Sequence, residues 1–178
     1  EVAAMLPNLF STQRVSSVLK ELPLLSANAE NLDEIYLWRA AVLLGYMAHA
    51  YVYMSDDKSQ LPSAISIPWE QVNQRLDRPG PGISTIDLCA YNWLLKEDSQ
   101  PRQVENLDLL VAWCGNEEER VFLMTLTEMH SYSDLLVNSA INLQEAIIQH
   151  DADSGKTALL GILDFLRKMT YGSLLKID

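Results

Sequence analysis

Residues Leu61 to Gly82 read LPSAISIPWEQVNQRLDRPGPG. Within them, Ser63–Ile67 (SAISI) alternates in the two-residue period of a strand, which predicts a short extended segment over 63–67. Pro68 suits the first turn of a following helix, where a missing N–H is no loss. Trp69, Val72 and Leu76, spaced by three and four, turn one face of that helix inward. RPGPG then ends it, because proline and glycine continue a helix only at a cost.

Almost everything around this stretch is patterned for helix. Val15, Val18, Leu19 and Leu22 form a stripe that stops before Pro23. A second helix is expected from near Leu32 to Met54. It is apolar nearly all round from Trp38 onward and so belongs in the middle of a bundle. A loop, SDDKSQ, leads to the quoted segment. Downstream, Ser84 and Asp87 have capping-box spacing and open a helix over IDLCAYNWLL. Leu107, Leu110, Val111 and Cys114 predict another. Asn116 is a good N-cap, with Glu117–Glu119 placed where the helix dipole favours negative charge. Leu136, Ala140, Leu143 and Ile147 continue the helical spacing until DADSG breaks it. Leu159, Ile162, Leu163 and Leu166 mark the last clear helix. No internal repeat or low-complexity segment interrupts the pattern. The expected fold class is all-α, a multi-helix bundle with one short extended piece.

The chain has 178 residues, 48% of them hydrophobic, which is enough for one domain or two small ones. Its 13 basic and 24 acidic residues give a net charge of −11. That argues against binding nucleic acid by neutralising phosphates. Cys89 and Cys114 lack CxxC spacing, so a disulfide scaffold is not expected and a reducing, cytoplasmic setting is. The opening EVAAMLPNLF lacks the basic start and long apolar run of a signal peptide. Leu37–Met54 carries Arg39 and His49, and reads as a core helix and not as a membrane span.

Taken alone, the residues indicate little chemistry. His49, His130 and His150 belong to no paired metal-ligand motif, and there is no GxSxG, P-loop or GxGxxG. His150, at a helix end, reads as a solvated cap. His49, on the most apolar helix, is expected to be buried and to need a hydrogen-bond partner. Trp38, Trp69, Trp93 and Trp113 read as core anchors.

The order and spacing of several segments go further. GYMAHAYVYM, then LPSAISIPWEQVNQRLDRPGPGISTIDLCAYNW, then ENLDLLVAW and VFLMTLTEM, resemble the indoleamine 2,3-dioxygenase family. The matching positions are Ala50-Tyr51-Val52-Tyr53, Leu61 to Pro68, Asp87 and Asn92-Trp93. The likeness continues more loosely through LQEAIIQHDADSGKTALLGILDFLRKM. It implies a small N-terminal helical domain over 1–115, with the extended segment forming part of a cover over the cofactor pocket. Residues 116–178 would begin a larger helical domain that holds haem b. It also implies O2 insertion across the indole C2–C3 bond of tryptophan, giving N-formylkynurenine.

Carried over position by position, the resemblance puts Val121 where the family has an aromatic residue and Thr125 where it has a small hydroxyl residue, with Phe122 beside them. It puts Thr85 where a pocket aromatic is frequent and Leu88 on the pocket side of Asp87. Residues i and i+4 share a helix face, so Val121 and Thr125 can look into one pocket. The departures are specific. The distal aromatics are replaced by Val121 and Thr85. About twenty residues are lacking before the helix ending at Gln149. No Gly-Gly-Ser segment, substrate-binding Arg or late proximal histidine is found. Implied partners are an indole substrate, O2 and the remainder of the haem domain or a second chain, without nucleic acid or membrane. Two other readings stay open. One is a haem-based indole-modifying biosynthetic enzyme. The other is a non-catalytic helical module that has lost haem.

Overall fold

A computed structural model describes residues 2–56, 59–80 and 82–177. Its regular elements are α1 (Leu6–Ser11), α2 (Val15–Lys20), α3 (Leu37–Met54), α4 (Ser63–Arg75), β1 (Trp93–Leu95), β2 (Leu107–Leu109), α5 (Glu117–Ser131), α6 (Ser133–Gln149) and α7 (Ala152–Arg167). The fold is all-α, with β1 and β2 paired in one two-stranded sheet. The chain divides into two compact units, 1–94 with 109–120 and 95–108 with 121–178.

In the first unit α3 is the hub, packing against α1, α2 and α4. Its Val42, Tyr46, Ala48 and Ala50 share one core with Leu6, Leu9, Val15, Leu19, Ile65, Trp69 and Val111. The expectation of a central, nearly all-apolar helix therefore holds, although regular α-helix starts at Leu37, after a 3-10 turn over Glu34–Tyr36. Gly45 keeps α3 smooth at a close approach: an added Cβ would lie 2.7 Å from Ile83 Cγ1.

The decisive stretch folds differently from its local pattern. Ser63–Ile67 is helical, the first five residues of α4, and not extended. The burial shows why. A strand would put Ile65 and Ile67 on one face, yet Ile65 is fully buried and Ile67 is 40% exposed. Ile65, Pro68, Trp69 and Val72 form a buried stripe at helical spacing instead. Pro68 sits inside the helix, so one intrahelical hydrogen bond is missing there. Burial of the stripe offsets that loss. α4 ends at Arg75, before RPGPG. Asp77 takes the left-handed conformation (φ 53°), and the Arg78 amide donates to Asn73 O (2.9 Å). RPGPG thus follows the stop, and its Pro81 lies outside the described residues, as do Asp57 and Lys58 of the SDDKSQ loop. From α4, Arg75 Nη1 reaches the carbonyls of Ala27 (3.1 Å) and Leu32 (2.7 Å) and fastens the irregular segment before α3.

One other expected helix is cut short and another is absent. Over IDLCAYNWLL the chain makes a single π-helical turn, Asp87–Tyr91, and then enters β1. The segment Leu107–Cys114 is β2 followed by irregular chain. Asn92 settles this within the first unit. Its fully buried side chain accepts from Val111 N (2.9 Å) and donates to Val111 O (3.0 Å) and Tyr46 Oη (3.1 Å). A side chain so used replaces a ladder partner and ends helical continuation.

In the second unit α6 and α7 form an antiparallel hairpin. His150 caps α6 in the left-handed conformation (φ 56°) and is exposed, as expected of it. Asp151 then caps α7, accepting from the Asp153 and Ser154 amides. Only this corner of DADSG breaks helix, since Ala152–Gly155 already belong to α7. The helices approach closely at Gly161, where a side chain would overlap Ser139. Among the described residues, no helix is long and apolar enough to cross a membrane.

Candidate functional site

The sequence-derived positions fall on two pieces of chain, the turn carrying Thr85 and Leu88 and the helix carrying Val121, Phe122 and Thr125. The turn is held by Asp87, only 1% exposed. Its carboxylate accepts from Ser84 N (2.7 Å) and Ser84 Oγ (2.9 Å), while the Asp87 amide faces Ser84 Oγ (3.4 Å). This is the expected capping box. Its other carboxylate oxygen pairs with Arg78, which the sequence reading did not single out. The Arg78 guanidinium also lies 4.8 Å from the Trp38 ring centroid, and Trp38 stacks on Tyr91 at 4.7 Å. The ion pair and the stack fix both ends of the turn. Leu88 is half-buried and packs on the α3 core. Thr85 points outward and is exposed.

α5 starts as its sequence demands. Asn116 Oδ1 accepts from Glu119 N (3.0 Å). The Glu119 carboxylate collects the amides of Trp113 (2.7 Å), Cys114 (2.8 Å) and Gly115 (2.9 Å). Gly115 needs a positive φ (68°) to present its amide. Further along, Phe122 is 51% exposed, Val121 is half-buried and Thr125 is fully buried. Thr125 Oγ1 has no hydrogen-bond partner among the described residues. Its neighbour Thr127 shows the ordinary arrangement, donating to Leu123 O (3.2 Å). A buried hydroxyl without a partner costs about 1–3 kcal/mol, so its presence calls for a reason.

Deeper in the second unit lies a group the sequence reading missed. Glu128, 1% exposed, accepts from Val104 N (2.7 Å), Lys176 Nζ (2.9 Å), Ser173 Oγ (2.9 Å) and Tyr132 Oη (3.3 Å). Burial pulls the Lys176 ammonium down, but the bonds and charges of Glu128 and Glu105 outweigh it and raise its pKa. Burial, then the Glu128 charge, push the Tyr132 phenol up. Every lone pair here is used, so the network is structural. An acidic residue in mid-helix reads as solvated, and its spacing carried no signal.

His130 does not share the Thr125 face. His130 follows Thr125 by five residues, about 140° away around the helix, and is exposed. His150 is the exposed cap of α6. His49 is exposed and not buried as expected, because it lies on the rim of α3 and not on its core face. Among the described residues no cluster of three His, Cys, Asp or Glu side chains could hold a metal ion. Toward haem, the α5 face offers only the side chains of Val121 and Phe122 beside the buried hydroxyl of Thr125.

The family model for Indoleamine 2,3-dioxygenase matches residues 1–176. The chain is 27% identical over 171 residues to "Indoleamine 2,3-dioxygenase 1" of Rattus norvegicus, covering 94% of this chain and 41% of that protein. It is 28% identical over 171 residues to "Indoleamine 2,3-dioxygenase 1" of Mus musculus, again 94% and 41%. It is 25% identical over 159 residues to the Saccharomyces cerevisiae "Indoleamine 2,3-dioxygenase", covering 85% of this chain and 35% of that one. The chain thus spans about two-fifths of the length of these relatives. With a match over nearly its whole length, the chain belongs to the indoleamine 2,3-dioxygenase family.

Proposed function

We propose that this chain is part of a haem-dependent dioxygenase that inserts O2 across the indole C2–C3 bond of L-tryptophan or a related indole, giving an N-formylkynurenine-type product. The observation that carries the reading is the buried, partnerless hydroxyl of Thr125, at the position where the family places a small hydroxyl residue. Haem b, when bound, supplies the iron to which O2 binds. The chain's own part is to shape and dry the distal wall. On α5, Val121 presents apolar surface and Thr125 offers one hydrogen bond to a polar atom in the pocket, with Phe122 beside them; Thr85 and Leu88 are candidates that rest on the family likeness alone. On α5, Val121, smaller than an aromatic, gives room for a substituted indole. That width favours the second reading, an indole-modifying biosynthetic enzyme. We assign 1–115 to the small domain and 116–178 to the opening of the haem domain, with the proximal ligand supplied by the remainder of that domain or by a second chain. Two free cysteines and a net charge of −11 suit a cytoplasmic enzyme without a nucleic-acid partner.

The test is an absorption spectrum of the full-length protein with hemin, oxidised and then reduced under CO, followed by product analysis with tryptophan. A Soret band of a histidine-ligated haem together with a ring-opened formylated product supports the dioxygenase. Haem binding with a different indole product supports the biosynthetic reading. A folded protein that binds no haem overturns both.

A further inference from the structure

A cavity of about 790 Å³ lies in the first unit, bordered by α1, the C-terminal half of α3, α4 and residues 113–114. None of Thr85, Leu88, Val121, Phe122 or Thr125 lines it. Its volume is within the usual range for small-molecule sites, about 300–1,000 Å³. Its walls are aromatic. Phe10 lies 6.4 Å from Tyr53 and 5.7 Å from Trp113, centroid to centroid. His49 stands edge-on to both Trp69 (6.2 Å) and Trp113 (6.5 Å), so two indoles hold its ring in place.

Among the described residues, His49 and Trp69 each bring to these walls a ring nitrogen without a hydrogen-bond partner. His49 Nδ1 lies 3.0 Å from Gly45 O. A carbonyl only accepts, so the proton sits on Nδ1, and in the neutral ring Nε2 is left as an acceptor. No other hydrogen bond to His49 occurs among the described residues. Trp69 is 4% exposed, and its Nε1, a donor only, has no partner. Among the described residues, no cationic or carboxylate side chain apart from His49 lines the cavity. A carboxylate or ammonium ligand would lose its hydration with nothing to replace it.

We propose that this cavity is a second ligand site, separate from the α5 face, for a neutral planar aromatic alcohol. Its ring stacks among Phe10, Tyr53 and Trp113. Its hydroxyl donates to His49 Nε2, which is why an alcohol fits better than a bare hydrocarbon or an aromatic acid.

The experiment titrates 2-naphthol, and separately 2-methoxynaphthalene, into the 15N-labelled full chain and follows the four indole N–H signals. Trp38 and Trp93 do not line the cavity and act as internal controls. The expected result is a saturable shift of Trp69 and Trp113 only, with 2-naphthol bound at least tenfold tighter than its methyl ether. His49→Phe should remove that preference. Ser11→Trp, at an exposed position on the rim, should abolish binding of both probes without disturbing the core. No saturable shift, equal shifts at all four tryptophans, or equal binding of the two probes overturns the proposal. The readout does not involve haem, so it stands or falls apart from the dioxygenase reading.

Discussion

Each of the two units buries one carboxylate to 1% exposure, Asp87 in the first and Glu128 in the second, and they are held in opposite ways. The partners of Asp87 are close along the chain: Ser84, three residues back, and Arg78, nine back. The partners of Glu128 lie 24, 45 and 48 residues away, at Val104, Ser173 and Lys176, with Tyr132 the local exception. Asp87 therefore shapes a turn, whereas Glu128 ties three separate segments together. Loop closure over longer separations costs more entropy, so the distant carboxylate has more structure depending on it.

Substitutions sharpen this contrast. Glu128→Ala has the largest expected effect, about 3 kcal/mol lost in denaturant unfolding, because it removes the acceptor shared by the Val104 amide, the Ser173 and Tyr132 hydroxyls and Lys176. Amide exchange should then quicken across 168–177 and at Val104 together. Protection lost at one of these places alone breaks the comparison. Asp87→Ala should cost about 2 kcal/mol, with faster exchange confined to 82–92. If its effect spreads as widely as that of Glu128→Ala, the distinction between local and long-range anchoring is wrong.

Thr125 is the third case, buried with no hydrogen-bond partner among the described residues. Thr125→Val keeps the shape and removes the orphan hydroxyl, so thermal unfolding should show a gain of about 1 kcal/mol. Under the dioxygenase reading the same variant loses turnover in the full protein. A loss of stability would mean that the hydroxyl is bonded after all.

The smallest effect is one of pH. The pKa of Lys176 in the folded chain is raised from its ordinary 10.5. A raised lysine contributes stability that is complete below its unfolded pKa and is lost as pH rises through the folded value. Denaturant midpoints should therefore fall more steeply above about pH 10.5 in the native chain than in Lys176→Met. Parallel curves would remove Lys176 from the network.

The same contrast explains what could be read in advance. The Ser84/Asp87 box and the Asn116 cap were legible because each rests on a spacing of three residues. β1 and β2 were not, since WLL and LDLL also satisfy helical spacing over so short a window. What decides them is Asn92 bonding to Val111, and Lys96 N donating to Asn106 O at 2.9 Å. The helical state of Ser63–Ile67 was hidden by reading Pro68 as a start, when it lies inside a stripe running from Ile65 to Val72. Of the candidate site, the α5 positions came from the family likeness and not from the local pattern. Arg78, Glu128 and the rim position of His49 depend on contacts made across the fold and left no local trace.

The path of the chain between its units has a consequence for its manufacture. The first unit closes only with 109–120, after the chain has already contributed 95–108 to the second. On a ribosome the core around α3 must therefore wait for Val111 and Asn92 to meet before it is complete. For the same reason no single proteolytic nick can release either unit whole.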